Sequence, residues 1–276
     1  MNSTQETRAC VIRYRPGHCM NPHADGCRRL SVLVAGSFDE SHGQRADAVR
    51  PGSVGIKGDG FVHQNRFGPD GATVVSVVLS SRTARAFAPA ETDLSAGRWN
   101  HGGMSSIQGL RLAAALLRDD NDVAEDSLRG TLFRLGDPGA RTRAANEPRA
   151  ATRSTPAFLP AVLRELEAPS DPSCINEIAH RLGRHPVALG RTFRRHVGCT
   201  MTEYRQRCRI HRVALALMTG DADLTDIALD YGFSDLSHMV RTFRRFLDVP
   251  PGAFRTTFRE LPGRLDSFKT EWALSF

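Results

Sequence analysis

One pattern occurs twice in the sequence, between residues 175 and 255. Each copy has an Ile-Ala pair, then a glycine, then the segment Arg-Thr-Phe-Arg-Arg, and closes on an aromatic residue followed by arginine. The copies are offset by roughly 50 residues, a period typical of duplicated supersecondary units. The paired positions are Ile178 and Ile227, Ala179 and Ala228, Gly183 and Gly232, Arg191 and Arg241, Phe193 and Phe243, and Tyr204 and Phe254.

Each copy predicts a helix-turn-helix unit. A short helix with one apolar face is followed by a glycine that permits the left-handed backbone of a sharp turn. In the second helix of each copy, apolar residues share one face and arginines occupy the other. Pro186 suits the first turn of one of these helices, and Ser234 is expected to cap the other. The apolar faces contain Leu189, Phe193 and Val197 in the first copy, and Met239, Phe243 and Phe246 in the second.

Between the two copies, residues from about Met201 to Met218 have helical apolar spacing. Such a helix is about 27 Å long at 1.5 Å per residue. That length suits two recognition helices placed about one duplex turn apart, in successive major grooves on one face of DNA. A single chain is therefore expected to read two adjacent DNA segments.

The stretch from Gly232 to Met239, with Arg241–Arg245 and Val249-Pro250-Pro251, resembles the C-terminal signature of the AraC/XylS family of bacterial transcription regulators. The resemblance covers about 100 residues, with His185 and Met239 as modest departures. It implies double-stranded DNA as partner, and base contacts from Val187, Gly190, Arg191, Leu236, Ser237, Val240 and Arg241. Phosphate contacts are expected from Arg194, Arg195, Arg244 and Arg245. The alternative for any one arginine is a solvated or intramolecular role.

Gly190 has no side chain, so the first recognition helix is expected to read few bases directly. Arg191 and Arg241 are suited to bidentate pairing with guanine. The net charge of +7, nearly all of the positive charge being arginine, is compatible with nucleic-acid binding but does not require it. No apolar run reaches membrane-spanning length and no signal peptide is evident, so a cytoplasmic protein without membrane contact is expected.

Residues 10–81 alternate short apolar stretches with turn segments and predict a small β-barrel or jelly roll. The spacing of Gly17, His23, Asp25, Arg29 and Gly36 resembles the first cupin motif, and the segment from Gly58 to His63 resembles the second. The resemblance implies a cupin-like effector domain of the kind that often precedes an AraC-type DNA-binding domain.

The cupin metal set is broken, because Arg29 stands where a metal-binding cupin has a ligand and would repel a divalent cation. We therefore expect no metal and no cofactor, and a pocket for a small organic effector lined by His23, Asp25, Arg29 and His63. Arg29 favours an anionic effector such as a carboxylate. Two alternatives remain open: a metal triad of His23, Asp25 and His63, and a barrel that only mediates protein contacts.

Six cysteines at irregular spacing contain no C-x-x-C pair and are expected to be reduced thiols. Cys19 and Cys27 nevertheless lie close in sequence to His18 and His23, which leaves thiol or metal sensing as a minor hypothesis.

From about residue 81 to 136 the pattern becomes helical. The spacing of Ile107, Leu110, Ala114 and Leu117 resembles the helical pair through which regulators of this family commonly dimerise, and predicts a homodimer seam. The alternative is intramolecular core. The predicted domains are a cupin-like effector domain at 1–81, a helical dimerisation segment at 82–136, a linker at 137–156, the double helix-turn-helix domain at 157–258, and a tail at 259–276 that either docks or stays loose.

The predicted fold is a multidomain α+β chain with an N-terminal cupin-like β-barrel, a helical dimerisation segment and an all-α double helix-turn-helix domain. The predicted function is an effector-controlled, sequence-specific transcription regulator, with a possible contact to RNA polymerase. The alternatives are a constitutive DNA-binding protein and a cupin metalloenzyme fused to a DNA-binding domain. No nucleophile elbow, Walker loop or H-E-x-x-H motif is present, so no catalytic residue and no enzyme activity are expected.

Overall fold

The computed structural model describes residues 7–87, 97–136, 156–168, 174–261 and 269–273. The strands are β1 Arg8–Tyr14, β2 Cys19–Ala24, β3 Arg29–His42, β4 Arg45–Val49, β5 Val54–Lys57, β6 Val62–Val78, β7 Arg98–Asn100 and β8 Lys269–Ala273. The helices are α1 Ser81–Phe87, α2 Gly103–Leu117, α3 Asn121–Gly136, α4 Leu159–Glu167, α5 Ile175–Arg181, α6 Pro186–Val197, α7 Met201–Thr219, α8 Leu224–Asp230, α9 Leu236–Leu247 and α10 Pro251–Arg259.

The strands form one antiparallel sheet in the order β7-β5-β3-β6-β1-β8, with β2 paired to β6 and β4 paired to β3. The long strands β3 and β6 run through its centre, and register shifts near Leu33 and Gly36 mark irregularities of the kind that bend a sheet. The predicted order, a β domain followed by an all-α double helix-turn-helix domain, is confirmed. Within the described residues the strand path ends at β7 and β8, so the sheet is open where a closed barrel was predicted.

The two faces of this sheet bury different cores because successive side chains of a strand point to opposite sides. Leu33, Phe38, Phe67, Val74 and Trp99 form a cluster on the inner face. The outer face carries apolar residues from β1, β3, β5 and β6, and these join one continuous core with α2, α3 and the second helix-turn-helix unit; among them are Val11, Leu30, Val32, Val54, Ile56, Val75 and Val77.

Two strands lie where the sequence pattern did not predict them. The segment 82–136 was predicted to be helical, but β7 within it pairs with β5. A three-residue strand is too short to produce a period-two signal, which explains the error. The tail was left open between docking and a loose state; its residues 269–273 form β8, which pairs with β1 from Arg8 opposite Ala273 to Ile12 opposite Lys269.

The predicted dimer seam lies inside the chain. Ile107, Leu110, Ala114 and Leu117 are each at most 4% exposed and belong to the core shared with the sheet and the second helix-turn-helix unit. A face already buried within one chain is not available to a second copy, so the seam assignment is corrected to intramolecular core.

The remaining predicted boundaries fall close to the elements or outside the described residues. The helix predicted to begin at Ala157 begins at Leu159. Most of the predicted linker, from residue 137 to 155, lies outside the described residues. None of the helices in the described ranges is both long enough and apolar enough to span a membrane.

Candidate nucleic-acid interface and effector cavity

The first helix-turn-helix unit comprises α5 and α6, and its turn has the predicted backbone. Gly183 has φ +59°, in the left-handed region that glycine enters without steric cost. Pro186 occupies the first turn of α6, as predicted. His185 is the N-cap, and its Nδ1 accepts a hydrogen bond from the Val187 backbone N–H at 3.3 Å. This is a long contact for a cap, so the start of α6 is weakly held.

The second unit comprises α8 and α9, with Gly232 at φ +74° in the turn. The N-cap of α9 is Asp235, which corrects the prediction of Ser234. Asp235 Oδ1 accepts from the His238 backbone N–H at 2.7 Å, and the Ser234 hydroxyl donates to Asp235 Oδ2 at 3.0 Å. The hydrogen bond from the His238 backbone and, to a smaller extent, the one from the Ser234 hydroxyl lower the pKa of Asp235. A carboxylate that accepts two hydrogen bonds is a stronger cap than an imidazole that accepts one long bond.

Each recognition helix buries its apolar face against an aromatic ring that closes its own repeat. Phe193 of α6 meets Tyr204 edge-on at 5.7 Å between ring centroids. Phe243 of α9 meets Phe254 edge-on at 5.2 Å. Both phenylalanines are fully buried, and in α9 Leu247 is buried while the predicted Phe246 is only half-buried. Burial of these faces turns the opposite faces toward solvent.

The residues predicted to contact DNA lie on the solvent faces of α6 and α9. The exposed members are Val187, Arg191, Arg194 and Arg195 in α6, and Ser237, Arg241, Arg244 and Arg245 in α9. The half-buried members are Gly190, Leu236 and Val240. Arg245 also donates to Gln206 Oε1 at 2.8 Å and lies over the Phe246 ring, so this one arginine has intramolecular partners as well.

The spacer helix α7 connects the two units and is capped at its start. Thr200 Oγ1 accepts from the Glu203 backbone N–H at 3.1 Å, and Glu203 Oε2 accepts from the Thr200 backbone N–H at 3.0 Å, which is a capping box. The helix has 19 residues, which corresponds to about 28 Å at 1.5 Å per residue. The structure thus has the long intervening helix that the sequence predicted.

The inner face of the sheet encloses a cavity of about 180 Å³. The four residues predicted to form an effector pocket, His23, Asp25, Arg29 and His63, all line it. His23 and His63 face each other across β2 and β6, with ring centroids 4.4 Å apart. The rest of the lining includes an aromatic group that sequence reasoning missed, formed by Tyr14, Phe38, Phe67 and Trp99.

Of the two cations that line this cavity, Lys57 has an ion-pair partner in the described part of the chain and Arg29 does not. Lys57 Nζ lies 2.5 Å from Glu40 Oε2, and Trp99 Nε1 donates to Glu40 Oε1 at 3.0 Å, so the buried Glu40 carboxylate is satisfied. Among the described residues no carboxylate lies within ion-pair distance of Arg29, and its Nε has no hydrogen-bond partner. Burial and, to a smaller extent, the positive charge of Lys57 lower the pKa of His63. The His63 side chain is therefore neutral at neutral pH. Arg29 is therefore the cation with unused donors.

The pair of Lys57 and Glu40 was not predicted as part of the cavity. One signal was present: Lys57 ends the otherwise apolar strand Val54–Lys57, and a charged residue in such a strand usually has a buried partner. The identity of that partner could not be read from the sequence, because Glu40 lies 17 residues away on another strand.

The structure gives no support to a metal triad. His63 Nε2 is 3.9 Å from Asp25 Oδ2, but the described ranges contain no group of three His, Cys, Asp or Glu side chains that could hold a metal ion. Cys19 is exposed and Cys27 is half-buried, with its sulfur accepting from Arg29 at 3.7 Å, and both are free thiols. Thiol sensing stays a hypothesis.

Two tandem helix-turn-helix units joined by a long helix define a class of protein with paired recognition helices. A family model described as "Helix-turn-helix domain" matches residues 178–257. Over 81 residues, 29% of this chain, the sequence is 36% identical to "Probable transcription factor PqrA" of Proteus vulgaris and 33% identical to "HTH-type transcriptional activator AarP" of Providencia stuartii. The match spans 66% and 60% of those proteins, somewhat less than two thirds of either. The repeated segment of this chain is a helix-turn-helix domain, and over that segment it is similar to these bacterial transcription regulators.

Solved structures to which this chain is similar include ToxT from Vibrio cholerae with an unsaturated fatty acid bound. It is 13% identical, covers 93% of this chain and 98% of its own, and has a TM-score of 0.39. An AraC-type DNA-binding domain from Chromobacterium violaceum is 25% identical over 36% of this chain and 90% of its own, with a TM-score of 0.35.

Proposed function

We propose that this protein is a sequence-specific transcription regulator that places α6 and α9 in adjacent major grooves of double-stranded DNA. The observation that carries the proposal is the pair of solvent-exposed, arginine-bearing helix faces in the two units that α7 connects. Arg191 and Arg241 occupy equivalent positions in the two units and suit guanine, whereas the arginines one turn further on suit phosphates.

Binding measurements with two arginine variants test these roles. Arg241→Ala is expected to relax base preference at one position of the site, because a bidentate guanine contact discriminates by about 1–3 kcal/mol. Arg244→Ala is expected to weaken binding to all duplexes alike and to reduce the salt slope by about one. Equal losses on selected and random DNA for both variants would contradict the assignment.

The proposed effector is a small organic carboxylate bound in the sheet cavity. Arg29 offers unused donors, the neutral His63 adds a hydrogen-bonding group, and the rings of Tyr14, Phe67 and Trp99 provide an apolar wall. Glu40 already neutralises Lys57, so Arg29 is, within the residues that the structure describes, the cavity-lining cation without an ion-pair partner, and the Asp25 carboxylate of the same cavity attracts it only from beyond ion-pair distance.

The proposed route from cavity to DNA-binding units follows the alternation of β3. Arg29 and Ser31 line the cavity, while Leu30 and Val32 between and beyond them pack in the core that contains α2. At Gly109 of α2 an added Cβ would come within 3.0 Å of Val54, so helix and sheet are in close contact there. A ligand that moves β3 therefore acts directly on α2, provided that it binds one arrangement better than the other.

Thermal shift measurements test the effector proposal against a constitutive regulator. The probe is benzoate with benzamide as its uncharged analogue, followed by other small monocarboxylates and their amides. Carboxylates that fit should raise the Tm and amides should not, and Arg29→Ala should abolish the shift. Arg13→Ala, which removes an exposed arginine next to the cavity-lining Ile12 and Tyr14 of β1, is the matched control. No shift with any carboxylate would favour the constitutive alternative.

The proposal assigns no catalytic step and requires no cofactor. Homodimerisation and contact with RNA polymerase stay predictions, and a dimer would need a surface other than the buried seam. A regulator of this kind acts at the chromosome, so the cytoplasmic localisation expected from the sequence belongs to the same proposal.

A further inference from the structure

The outward face of α6 is apolar at its start, unlike that of α9. Val187 is 55% exposed and Ala188 beside it is exposed as well. Most exposed positions of a helix carry polar residues, and an exposed valine next to an exposed alanine needs a reason. The corresponding start of α9 presents Ser237, which is polar.

Gly190 lies on the same side of α6, one turn after Val187. An added Cβ at Gly190 would meet nothing within 4 Å, and the backbone there has no left-handed φ. Glycine in a helix interior is less stable than alanine, so the fold itself would favour alanine at this position. A bare backbone on an exposed face is useful where a partner must approach the helix closely.

The chemistry around this bare face indicates what that partner is. Gly190, Arg191 and Arg194 lie three, four and seven residues after Val187 and so share a side of the helix with it. Arg191, Arg194 and Arg195 are all exposed, which suits a polyanion. In the major groove the apolar group that a protein meets at a base edge is the 5-methyl group of thymine.

We propose that α6 recognises an A·T pair in the first half of its DNA site through contact between Val187 and a thymine methyl group. Gly190 lets the helix backbone approach the base edges closely enough for that contact. The first half of the site is thus read mainly by shape and an apolar contact, and the second half by hydrogen bonds from Arg241 and Ser237. This inference rests on the proposed DNA-binding function.

The first test replaces single thymines by uracil, which removes only the methyl group. A duplex enriched from a randomised library by the full-length protein is remade with uracil at each thymine in turn, and its Kd is measured. Uracil at one or two positions in the half bound by α6 should weaken binding about three- to fivefold, in line with the loss of one buried methyl group. Val187→Ala should remove this dependence while leaving effects in the other half unchanged.

The second test separates binding from folding. Gly190→Ala should raise the Tm and yet weaken binding to the enriched duplex tenfold or more, a combination that a purely structural role does not produce. Gly252→Ala is the matched control, because Gly252 is a helical glycine in α10 with nothing within 4 Å of an added Cβ. It should raise or keep the Tm without changing the Kd. Val62→Ala, at a valine of 59% exposure in the sheet, controls for Val187.

Two results would overturn the inference while leaving the proposed function intact: no uracil effect in the half bound by α6, or unchanged affinity in Gly190→Ala. If the protein enriches no duplex at all from the library, the proposed function fails first and this inference fails with it.

Discussion

The two helix-turn-helix units have almost the same sequence pattern but are packed against different neighbours. The first unit has a core of its own, built from α4, α5, α6 and the start of α7 and including Val162, Leu166, Ile178 and Phe193. The second unit shares one core with α2, α3 and the outer face of the sheet, through residues that include Met239, Phe243 and Phe254. The core of the first unit is therefore separate from that of the N-terminal region, whereas the core of the second unit is continuous with it.

The C-caps of the two recognition helices also differ, and that of α9 contacts the N-terminal region. The C-cap of α6 is Gly198 with φ +81°, whereas the C-cap of α9 is Asp248 with φ +58°. An aspartate in the left-handed region is strained by about 1 kcal/mol relative to glycine. Its carboxylate forms an ion pair with Arg111 of α2, which also binds Asp126 of α3 at 2.5 Å. Asp248 thus has a strained backbone conformation, and its ion pair with Arg111 connects α9 to the N-terminal region.

The largest expected effect comes from truncating the two buried phenylalanines. Phe193→Ala and Phe243→Ala should each lower the free energy of unfolding by about 3–5 kcal/mol, because both side chains are fully buried. Hydrogen exchange should show the Phe193 variant loosened only in α4–α6 and the start of α7. The Phe243 variant should also expose amides of α2 and β3. If both variants loosen the same segments, the two cores are not separate.

A pH effect should appear at the contact between the sheet and α7. An added Cβ on Gly52 would lie 2.7 Å from Leu215 and 3.0 Å from His211 Nε2, so the turn that contains Gly52 packs closely against α7. Burial, followed by the charge of Arg212, lowers the pKa of His211 to about 4. Between pH 6.5 and about 4 the unfolded chain binds a proton that the folded chain does not, so stability falls as the pH decreases, by at most about 3 kcal/mol.

Urea unfolding at pH 7 and pH 5 measures that effect in the wild type and in His211→Gln. The glutamine variant should lose less stability between the two pH values than the wild type does. The same pH dependence in both proteins would show that another group, such as the buried His63 or the exposed His101, dominates the acid response.

A smaller effect is expected at the link between α2 and α9. Arg111→Ala should lower stability by about 1 kcal/mol, since Asp248 is half-exposed and exposed ion pairs contribute little. In that background Asp248→Gly should stabilise the protein, because the strain is relieved and no ion pair remains to be lost. A double-mutant cycle measures the coupling energy between Arg111 and Asp248. A coupling energy of zero would show that this ion pair does not connect the second unit to α2.

The smallest expected difference lies in the two N-caps. Asp235→Ala should lower stability more than His185→Ala does, because the aspartate accepts a 2.7 Å bond and the imidazole only a 3.3 Å one. Chemical denaturation of both variants measures the difference. Equal losses would mean that the two helix starts are held equally well.

The local features of the DNA-binding region could be predicted because they depend on residues close in sequence. The turn glycines Gly183 and Gly232, the buried phenylalanines and the spacer helix all follow from periodicity and turn chemistry. The cap of α9 was placed one residue too early, since Ser234 and Asp235 are both good caps and only the backbone selects between them.

The cavity could be predicted only in part. The motif spacing identified His23, Asp25, Arg29 and His63, and all four line the cavity. The partner of Lys57 and the aromatic wall could not be predicted, because they come from strands whose pairing is decided by the whole sheet.

The amino-acid sequence by itself determined the doubled helix-turn-helix unit, the arginine faces and the order of a β region before an all-helical one. Those features depend on the 3.6-residue and two-residue periods of apolar side chains, which each segment carries alone. Tertiary structure decided which surfaces meet. The apolar stripe of α2 specified burial but not its partner, and only packing assigned it to the sheet and the second unit rather than to a second chain. The same holds for β8, which completes an edge of the sheet from the far end of the chain.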